Sequence, residues 1–508
     1  MARFSRQLAF ILAVTLGVLL SGTPGWATAR LPVWRGLVPN VEFWKLVYSE
    51  FTSAQAIVHD RNRLGVVYEI VDYGPTIEAA GSVPGLWEEQ QPFLDNIKAY
   101  YQGILLSIAK KWPRGPFSAE ERRVRRLFGA RASKAAFLEA AEDGRIRVQW
   151  GLKDGFREAI ERSRLYMPMM EGIFLKHGLP IELTRLVFVE SMCNPDAWSS
   201  ASAAGMWQFM KGTARSYGLR VTRYIDERKD PWKSTDAAAR LLKDNYERLG
   251  TWPLALTAYN HGTYGMVRAS NEVGSNNLMR IITQYQGPSF GFASKNFYSE
   301  FLAALWTYEN RDRLFGDWDG RHPLRYQKVE LPTVVSLAKL TRRSGISTED
   351  IARLNPAFSK ELLEGRAYLP KGYAFNVPKG KGSKVVKAYQ SLPKKDKPPQ
   401  VHNRSLASVR HKVRPGETLY GLSRRYNVPV QKIASANGLS TRAKLRVGQS
   451  LKIVGGKKQA VLHKVGPGET LYGLSRRYGV PHRQIASWNG IPPNAKLKKG
   501  QVLHIPRS

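Results

Sequence analysis

One carboxylate of this sequence occupies a place where an acid is hard to ionise. Glu190 lies in a predicted helix, and the residues three, four and seven places before it are Val187, Leu186 and Leu183. These residues share one helix face, so a carboxyl group interrupts an apolar stripe. The proline at position 195 should end the helix near Cys193, which puts the carboxyl beside the negative end of the helix dipole. Burial and dipole both predict a raised pKa, as a general acid near neutral pH requires. Helix geometry alone leaves a second interpretation, a structural glutamate paired with a buried arginine.

Two motifs downstream favour the catalytic interpretation. The stretch 190–210 reads ESMCNPDAWSSASAAGMWQFM, and 258–262 reads AYNHG. The first resembles the signature of the lytic transglycosylases with a lysozyme-like fold, closest to the murein transglycosylase D type, in which Glu-Ser is followed by Asn-Pro, Ser and Gly-Ala-x-Gly-(Leu/Met)-(Trp/Met)-Gln. The second is similar to the Ala-Tyr-Asn-x-Gly motif of the same family. The resemblance covers roughly residues 150–313, with weaker similarity upstream.

The resemblance implies a role for each matching residue. Glu190 would be the catalytic acid/base, and Ser199 would lie near the reaction centre and help to place the sugar. Gln208 would hydrogen-bond substrate. Tyr259 would contact and position Glu190, and Asn260 would line the groove and bind the N-acetyl sugar at the cleaved bond.

Two positions depart from the family pattern. Tyr298 is the candidate for a further groove tyrosine, but the residues around it differ from the usual Glu-Thr…Tyr-Val-Pro. Ser202 replaces the usual glycine before Ala203, and we expect an unusual backbone angle there.

The resemblance also implies a reaction. Most glycosidases use two carboxylates, and this sequence offers one convincing candidate. In the family, the glutamate protonates the oxygen between N-acetylmuramic acid (MurNAc) and N-acetylglucosamine (GlcNAc), and the C6 hydroxyl then closes on C1. The expected function is a peptidoglycan lytic transglycosylase that cleaves the β-1,4 bond and leaves 1,6-anhydroMurNAc ends, without cofactor or metal. The alternatives are a hydrolytic muramidase on the same fold and a non-enzymatic wall-binding protein.

These residues must be positioned by a multidomain chain. We expect a mainly α, lysozyme-like catalytic domain, preceded by a helical region and followed by small α+β modules of βααβ order. The predicted segments are a signal peptide (1–29), a helical N-terminal region (30–150), the catalytic domain (151–313), a degenerate LysM-like module (326–378) and a basic linker (379–409).

The C-terminal part contains a repeat. The twelve residues PGETLYGLSRRY at 415–426 recur unchanged at 467–478. Each copy reads as strand, helix, helix, strand and resembles the LysM module, which binds GlcNAc-containing glycans. This predicts LysM modules at 411–454 and 463–506. The expected glycan-binding residues are Gly416, Glu417 and Thr418 in the first copy and Gly468, Glu469 and Thr470 in the second.

Charge and the N-terminal segment indicate where the protein works. The net charge is +37, and residues 379–508 contribute 28 Lys plus Arg against 3 Asp plus Glu. A basic start, an apolar run and Ala-Thr-Ala at 27–29 predict export to the periplasm or cell envelope, with an uncleaved membrane-associated segment as the alternative. We therefore expect peptidoglycan strands as partner, with anionic envelope polymers or a membrane surface as further partners, no nucleic acid, and a monomer.

Overall fold

The computed structural model describes residues 31–75, 90–316, 322–393, 396 and 408–506, apart from 427, 442, 444, 455–459, 479, 490, 493, 496, 498 and 499. The predicted signal peptide and most of the predicted linker beyond 393 lie outside the described residues. The chain divides into two compact units, one that runs to residue 392 and one that holds 393–508 together with 332–334. No helix in the described part is long and apolar enough to cross a membrane.

The N-terminal region of the first unit is not helical throughout. Within its described residues it combines four α-helices and a short 3-10 turn with a three-stranded antiparallel sheet, whose central strand is Gln55–Asp60. Burial of Ile57 and Val58 on the central strand explains why this stretch is extended rather than helical, since β-branched residues pack well on a pleated surface. The elements are α1 (Val38–Ser49), β1 (Gln55–Asp60), β2 (Val67–Asp72), α2 (Gln91–Lys111), α3 (Ala119–Leu127), α4 (Lys134–Ala140) and β3 (Ile146–Trp150).

The region that follows is all helical within the described residues, apart from isolated bridges. Short 3-10 turns at Ile181–Arg185 and Glu227–Lys229 introduce two of its helices. The helices are α5 (Lys153–Ser163), α6 (Met167–Lys176), α7 (Leu186–Ser191), α8 (Lys211–Ser216), α9 (Pro231–Leu249), α10 (Trp252–His261), α11 (Thr263–Val273), α12 (Leu278–Gln284), α13 (Phe292–Glu309) and α14 (Arg311–Phe315).

The largest hydrophobic core joins the N-terminal helix to this helical region. Phe43 and Val47 of α1 are buried in the same cluster as Phe188 of α7 and Leu302 of α13. Helix α1 packs along α13. The helices around Glu190 therefore depend on residues well upstream of the predicted domain start at 151.

Local sequence fixes the ends of α9, on which much of this core is built. The Asp230 carboxylate accepts hydrogen bonds of 3.0 Å from the backbone amides of Trp232 and Lys233, and Pro231 occupies the first turn. Gly250 ends the helix in the left-handed conformation, with φ 76°. Helix α9 packs against α10, which carries Tyr259.

A small module with its own core follows. It contains β4 (Tyr326–Val329), α15 (Leu337–Ser344), α16 (Thr348–Leu354), α17 (Lys360–Leu363), β5 (Phe375–Pro378) and α18 (Gly382–Ser391). The two strands pair antiparallel. Helix α18 falls in the segment that its composition assigned to a flexible linker. It is ordered because Val385, Tyr389 and Leu392, at helical spacing, are buried in the core of the module.

The second unit contains two copies of the predicted βααβ order. The first copy has β6 (Ser408–Lys412), α19 (Leu419–Tyr426), α20 (Val430–Ser435) and β7 (Ser450–Val454). The second has β8 (Ala460–Lys464), α21 (Leu471–Tyr478), α22 (His482–Asn489) and β9 (Val502–Pro506). In each copy the outer strands pair antiparallel over a separate small core. The predicted fold class is confirmed.

Candidate active site

Glu190 lies in the last turn of α7, as the sequence predicted. Met192 ends the helix in the left-handed conformation at φ 52°, and the Arg162 guanidinium donates a 2.5 Å hydrogen bond to its carbonyl oxygen. Glu190 is partly buried. Burial, reinforced by the nearby charge of Glu300, raises its pKa from 4.5 to about 8. The carboxyl is therefore protonated at neutral pH, as a general acid must be.

The interpretation of Glu190 as half of a buried ion pair has no support in the structure. No described ion pair or hydrogen bond involves its carboxyl group. The buried arginine of the preceding turn, Arg185, instead pairs with Glu171 at 2.6 Å and lies on the Tyr308 ring. The proton of Glu190 is thus left available for transfer.

The segment after Glu190 folds into an irregular loop with several left-handed residues. Met192, Cys193, Ser202 and Gln208 have φ values of 52°, 55°, 66° and 46°. The unusual angle expected at Ser202 is present. Gly205 has φ 80°, and a Cβ atom there would lie 1.8 Å from the Arg228 carbonyl oxygen, so this position admits only glycine.

Hydrogen bonds within the loop hold Ser199 and Gln208. The Ser199 hydroxyl accepts a 3.0 Å bond from the backbone amide of Ala203, which closes a tight turn. The Gln208 side-chain amide donates to the Gly205 carbonyl at 2.8 Å. Both residues remain partly exposed. They therefore lie on the loop that begins at Glu190, but part of their hydrogen-bonding capacity is used internally.

Arg228 fixes the far side of the same loop, and nothing in the sequence pattern indicated it. Its buried guanidinium donates to the carbonyl oxygens of Ser202 (2.8 Å) and Phe209 (3.1 Å) and pairs with Asp226 at 2.7 Å. The guanidinium also lies 5.0 Å from the ring of Trp198, which is 57% exposed. The loop thus presents a large aromatic surface beside Ser199.

The second motif meets the first through Tyr259. The Tyr259 hydroxyl donates a 2.8 Å hydrogen bond to the Trp207 carbonyl oxygen, so α10 is tied to the motif loop. Burial, with a smaller contribution from the charge of Glu190, holds the pKa of Tyr259 well above its usual value. Asn260 is exposed, and its side-chain oxygen accepts a 2.8 Å bond from the Ser294 hydroxyl of α13. The structure therefore brings Tyr259 close to Glu190 and places Asn260 beside it on the surface.

Tyr298 does not join this group, and its prediction as a groove residue is wrong. It is 1% exposed, its ring lies 6.1 Å from that of Trp34 in a tilted arrangement, and its hydroxyl donates to the Pro32 carbonyl at 3.1 Å. Helix α13 turns this side chain toward the N-terminal segment. The acidic residue that α13 contributes near Glu190 is Glu300, which no motif or spacing indicated.

The predicted glycan-binding loops of the second unit show a shared internal arrangement. Gly416 and Gly468 are left-handed, with φ 78° and 73°, and Thr418 and Thr470 cap the following helices through hydrogen bonds of 3.1 Å. The two loops therefore share the same turn and the same helix cap.

Glu417 and Glu469 are turned inward in these loops. The Glu417 carboxylate bonds the ring of His411 at 2.5 Å and the backbone amide of Arg414 at 2.9 Å, and Glu469 makes the same contacts with His463 and Gly466. Burial opposes ionisation of Glu417, but these hydrogen bonds keep its pKa below the usual value. Their carboxylates therefore hold the loop rather than face outward.

An aromatic side chain is exposed beside each loop. Tyr420 and Tyr472, two residues after the capping threonines, are 66% and 63% exposed. Large exposed aromatics at equivalent places in two copies are a common feature of surfaces that bind sugars by stacking, and they mark the outer face of each module.

Comparison with known proteins agrees with this geometry. Residues 176–282 match the Transglycosylase SLT domain family, and residues 411–454 and 463–506 each match the LysM domain family. The protein therefore has an SLT transglycosylase domain, which contains Glu190, the motif loop and Tyr259, followed by two LysM domains.

Several known proteins are similar to this chain over part or most of its length. The chain is 29% identical over 386 residues to membrane-bound lytic murein transglycosylase D of Escherichia coli K12. The aligned region covers 72% of this chain and 82% of that protein. It is 33% identical over 103 residues to a probable peptidoglycan endopeptidase, LytE, of Bacillus subtilis, covering 18% of this chain and 30% of the relative. The crystal structure of the Bacillus cereus spore cortex-lytic enzyme SleL is 32% identical over 20% of this chain and 23% of its own, with a TM-score of 0.10. The predicted resemblance to the murein transglycosylase D type is confirmed.

Proposed function

We propose that this protein cleaves the β-1,4 bond between MurNAc and GlcNAc in peptidoglycan and leaves 1,6-anhydroMurNAc ends. The observation that carries the proposal is the Glu190 carboxyl: it is partly buried, unpaired among the described residues, and has a pKa of about 8 beside the motif loop and Tyr259. Such a group donates a proton at neutral pH without a metal or cofactor.

The reaction proceeds in two proton transfers. Glu190 gives its proton to the bridging oxygen as the bond from that oxygen to C1 of MurNAc breaks, and the substrate's N-acetyl oxygen stabilises the cation. The Glu190 carboxylate then takes the proton of the C6 hydroxyl, whose oxygen bonds to C1. The acid is regenerated and no water is consumed. Trp198, exposed beside Ser199, offers a face on which a sugar ring can stack.

The LysM domains serve to retain the enzyme on its polymer. GlcNAc-containing strands bind along the loops at Gly416–Thr418 and Gly468–Thr470, with Tyr420 and Tyr472 as stacking surfaces. Their basic charge, concentrated in residues 379–508, also suits anionic polymers of the envelope. The protein acts after export, in the periplasm or cell envelope, on the substrate found there.

Replacement of Glu190 by Gln tests the assignment of the acid. Cleavage of purified sacculi should fall by about 10²–10⁴-fold, because Gln cannot donate the proton. Glu272→Gln, at an exposed position of α11, is the matched control and should leave the rate unchanged. Near wild-type clearing by Glu190→Gln would refute the proposed acid and favour a different function for the domain.

Mass spectrometry of the released fragments tests the product. Anhydro ends are expected from the wild-type enzyme. Reducing ends would instead identify a hydrolytic muramidase. That competing function is favoured by the second acidic residue near Glu190, Glu300, because most glycoside hydrolases use a pair of carboxylates.

A further inference from the structure

Helix α13 carries a second carboxyl group that the proposed reaction does not use. Glu300 lies in the middle of this helix and is partly exposed. It occurs in the stretch where the sequence departs from the Glu-Thr…Tyr-Val-Pro pattern of the family.

The packing of α13 against α7 fixes the direction in which Glu300 faces. Glu300, Ala304 and Tyr308 are spaced four residues apart and share one face of the helix. The Tyr308 ring lies 5.2 Å from the ring of Phe188 on α7, so this face is the one that meets α7. Ala304 is fully buried and lets the helices approach closely.

The two ends of α13 show that Glu300 is opposite Glu190. Near its C-terminus, Tyr308 contacts the beginning of α7. Near its N-terminus, Ser294 bonds Asn260 of the second motif. The Glu190 end of α7 is tied to the same motif, because the Ser191 hydroxyl donates a 2.8 Å hydrogen bond to the Met206 carbonyl, next to the Trp207 carbonyl that Tyr259 bonds. The direction of α7 is therefore opposite to that of α13, and Glu190 lies along the central part of α13, where Glu300 is found.

No described cation neutralises this pair. Of the elements packed on α13, α1 contributes Tyr48, whose pKa is raised by burial and then by the charge of Glu300, and α10 contributes Tyr259. The cations of α1, of the 3-10 turn before α7 and of α14 contact other groups, and those of α14, Arg311 and Arg313, lie over the Tyr308 and Trp306 rings. Lys45 of α1 pairs with Glu42 at 2.7 Å and lies over the Trp306 ring, and Arg185 pairs with Glu171.

We infer that Glu300 is a positioning residue of the active site, and that the charge of its carboxyl group opposes ionisation of Glu190, so that Glu190 enters the reaction as the acid. The inference rests on the proposed function. Two adjacent carboxyls without a cation do not both ionise readily, so the pair retains a proton that a single exposed glutamate would lose. Burial raises the pKa of each to about 8, and the charge of Glu300 adds to the effect on Glu190.

The pH profile of Glu300→Gln tests this role. In kcat/KM for a soluble glycan, the alkaline fall reports loss of the proton from the acid of the free enzyme. Glu300→Gln should move that fall toward lower pH by about one unit, since a neighbouring like charge no longer favours the protonated form of Glu190. Near pH 5, where the acid is protonated in both proteins, the rates should agree. Glu309→Gln, on the same helix, is the control and should keep the wild-type profile.

Two results would overturn the inference. One is a Glu300→Gln profile that superimposes on that of the wild type. The other is a folded variant that is inactive at every pH, which would mean that Glu300 acts directly on substrate. If Glu300→Gln does not fold, Glu300→Leu removes the same charge with an apolar side chain. The same shift of the alkaline fall in kcat/KM is then expected of this variant. Failure of the proposed function would be seen in different results. Glu190→Gln would retain activity, or the wild-type enzyme would produce reducing ends.

Discussion

A carboxyl that is partly buried with no cation beside it holds its proton more tightly than one in water. Glu190 and Glu300 are in this situation in the folded protein, with pKa values raised by burial from 4.5 to about 8. Between pH 4.5, the pKa in the unfolded chain, and a pH of about 8, the pKa in the folded protein, the folded state binds more protons than the unfolded chain. The free energy of unfolding therefore falls as pH rises through this range. The same feature that makes Glu190 an acid therefore destabilises the domain above neutral pH.

This gives a prediction for stability at the residue scale. Glu190→Gln should raise the thermal midpoint of the catalytic unit at pH 8.5, because the variant has no charge to bury there. At pH 4, where the wild-type carboxyl is protonated in both states, the midpoints should nearly coincide. Differential scanning calorimetry at the two pH values measures this. If the midpoints of variant and wild type differ by the same amount at both pH values, the substitution acts through packing and not through ionisation.

At the scale of elements, the helix that carries Glu190 is short and is supported by longer ones. Helix α7 has only six residues, and its position is set by α13 on one side and by the motif loop on the other. Helix α1, far upstream in sequence, packs along α13 and buries Phe43 and Val47 in the shared core. The N-terminal helix is thus part of the scaffold of the active site.

Substitution of Phe43 by Ala tests that role. The ring is 3% exposed, so its loss should destabilise the catalytic unit by about 3–5 kcal/mol. Urea unfolding followed by fluorescence, with residual sacculus cleavage measured in parallel, should show both midpoints falling together. Glu50→Ala, exposed at the end of the same helix, should change neither. A fluorescence midpoint that falls while the activity midpoint stays would mean that α1 folds independently of the site.

At the scale of the whole molecule, the boundary between enzyme and retention modules lies later than the composition indicated. Helix α18 buries Val385, Tyr389 and Leu392 in the core of the 326–378 module. That module repeats the βααβ order of the LysM copies with an added short helix, and one bridge, between Ile225 and Phe358, joins it to the catalytic helices. The retention part therefore begins after residue 392.

Two truncations distinguish these boundaries. A chain that ends at residue 392 should cleave short soluble glycans at the wild-type rate but bind sacculi about 100-fold more weakly, because it loses two linked binding modules. A chain that ends at residue 378 should in addition have a lower thermal midpoint, since it exposes the apolar surface under α18. Sedimentation binding, soluble-glycan kinetics and calorimetry measure the three effects. If the chain that ends at residue 392 loses activity on soluble glycan as strongly as it loses binding to sacculi, the retention role of the LysM domains is contradicted.

Features within a few turns of one another were predictable from the sequence. The apolar face around Glu190, the end of its helix near Cys193 and the βααβ repeats each follow from residue spacing and turn chemistry. The left-handed Ser202 was expected because it replaces a glycine of the family pattern. Such patterns are local, because hydrophobic periodicity, proline and glycine act on the backbone around them. The raised pKa of Glu190 was predictable for the same reason, since the apolar stripe is itself local.

The remainder required the tertiary structure, because it depends on residues that meet only when distant helices pack. Glu300 follows Glu190 by 110 positions and becomes its neighbour through the contact of α13 with α7. Packing of α13 on the N-terminal segment turns Tyr298 away from the groove, and Arg228 reaches the motif loop through hydrogen bonds to backbone oxygens. Backbone oxygens occur at every residue, so sequence spacing could not single out these contacts. The sequence by itself determined the local setting of Glu190, whereas only the packed structure decided which groups surround it.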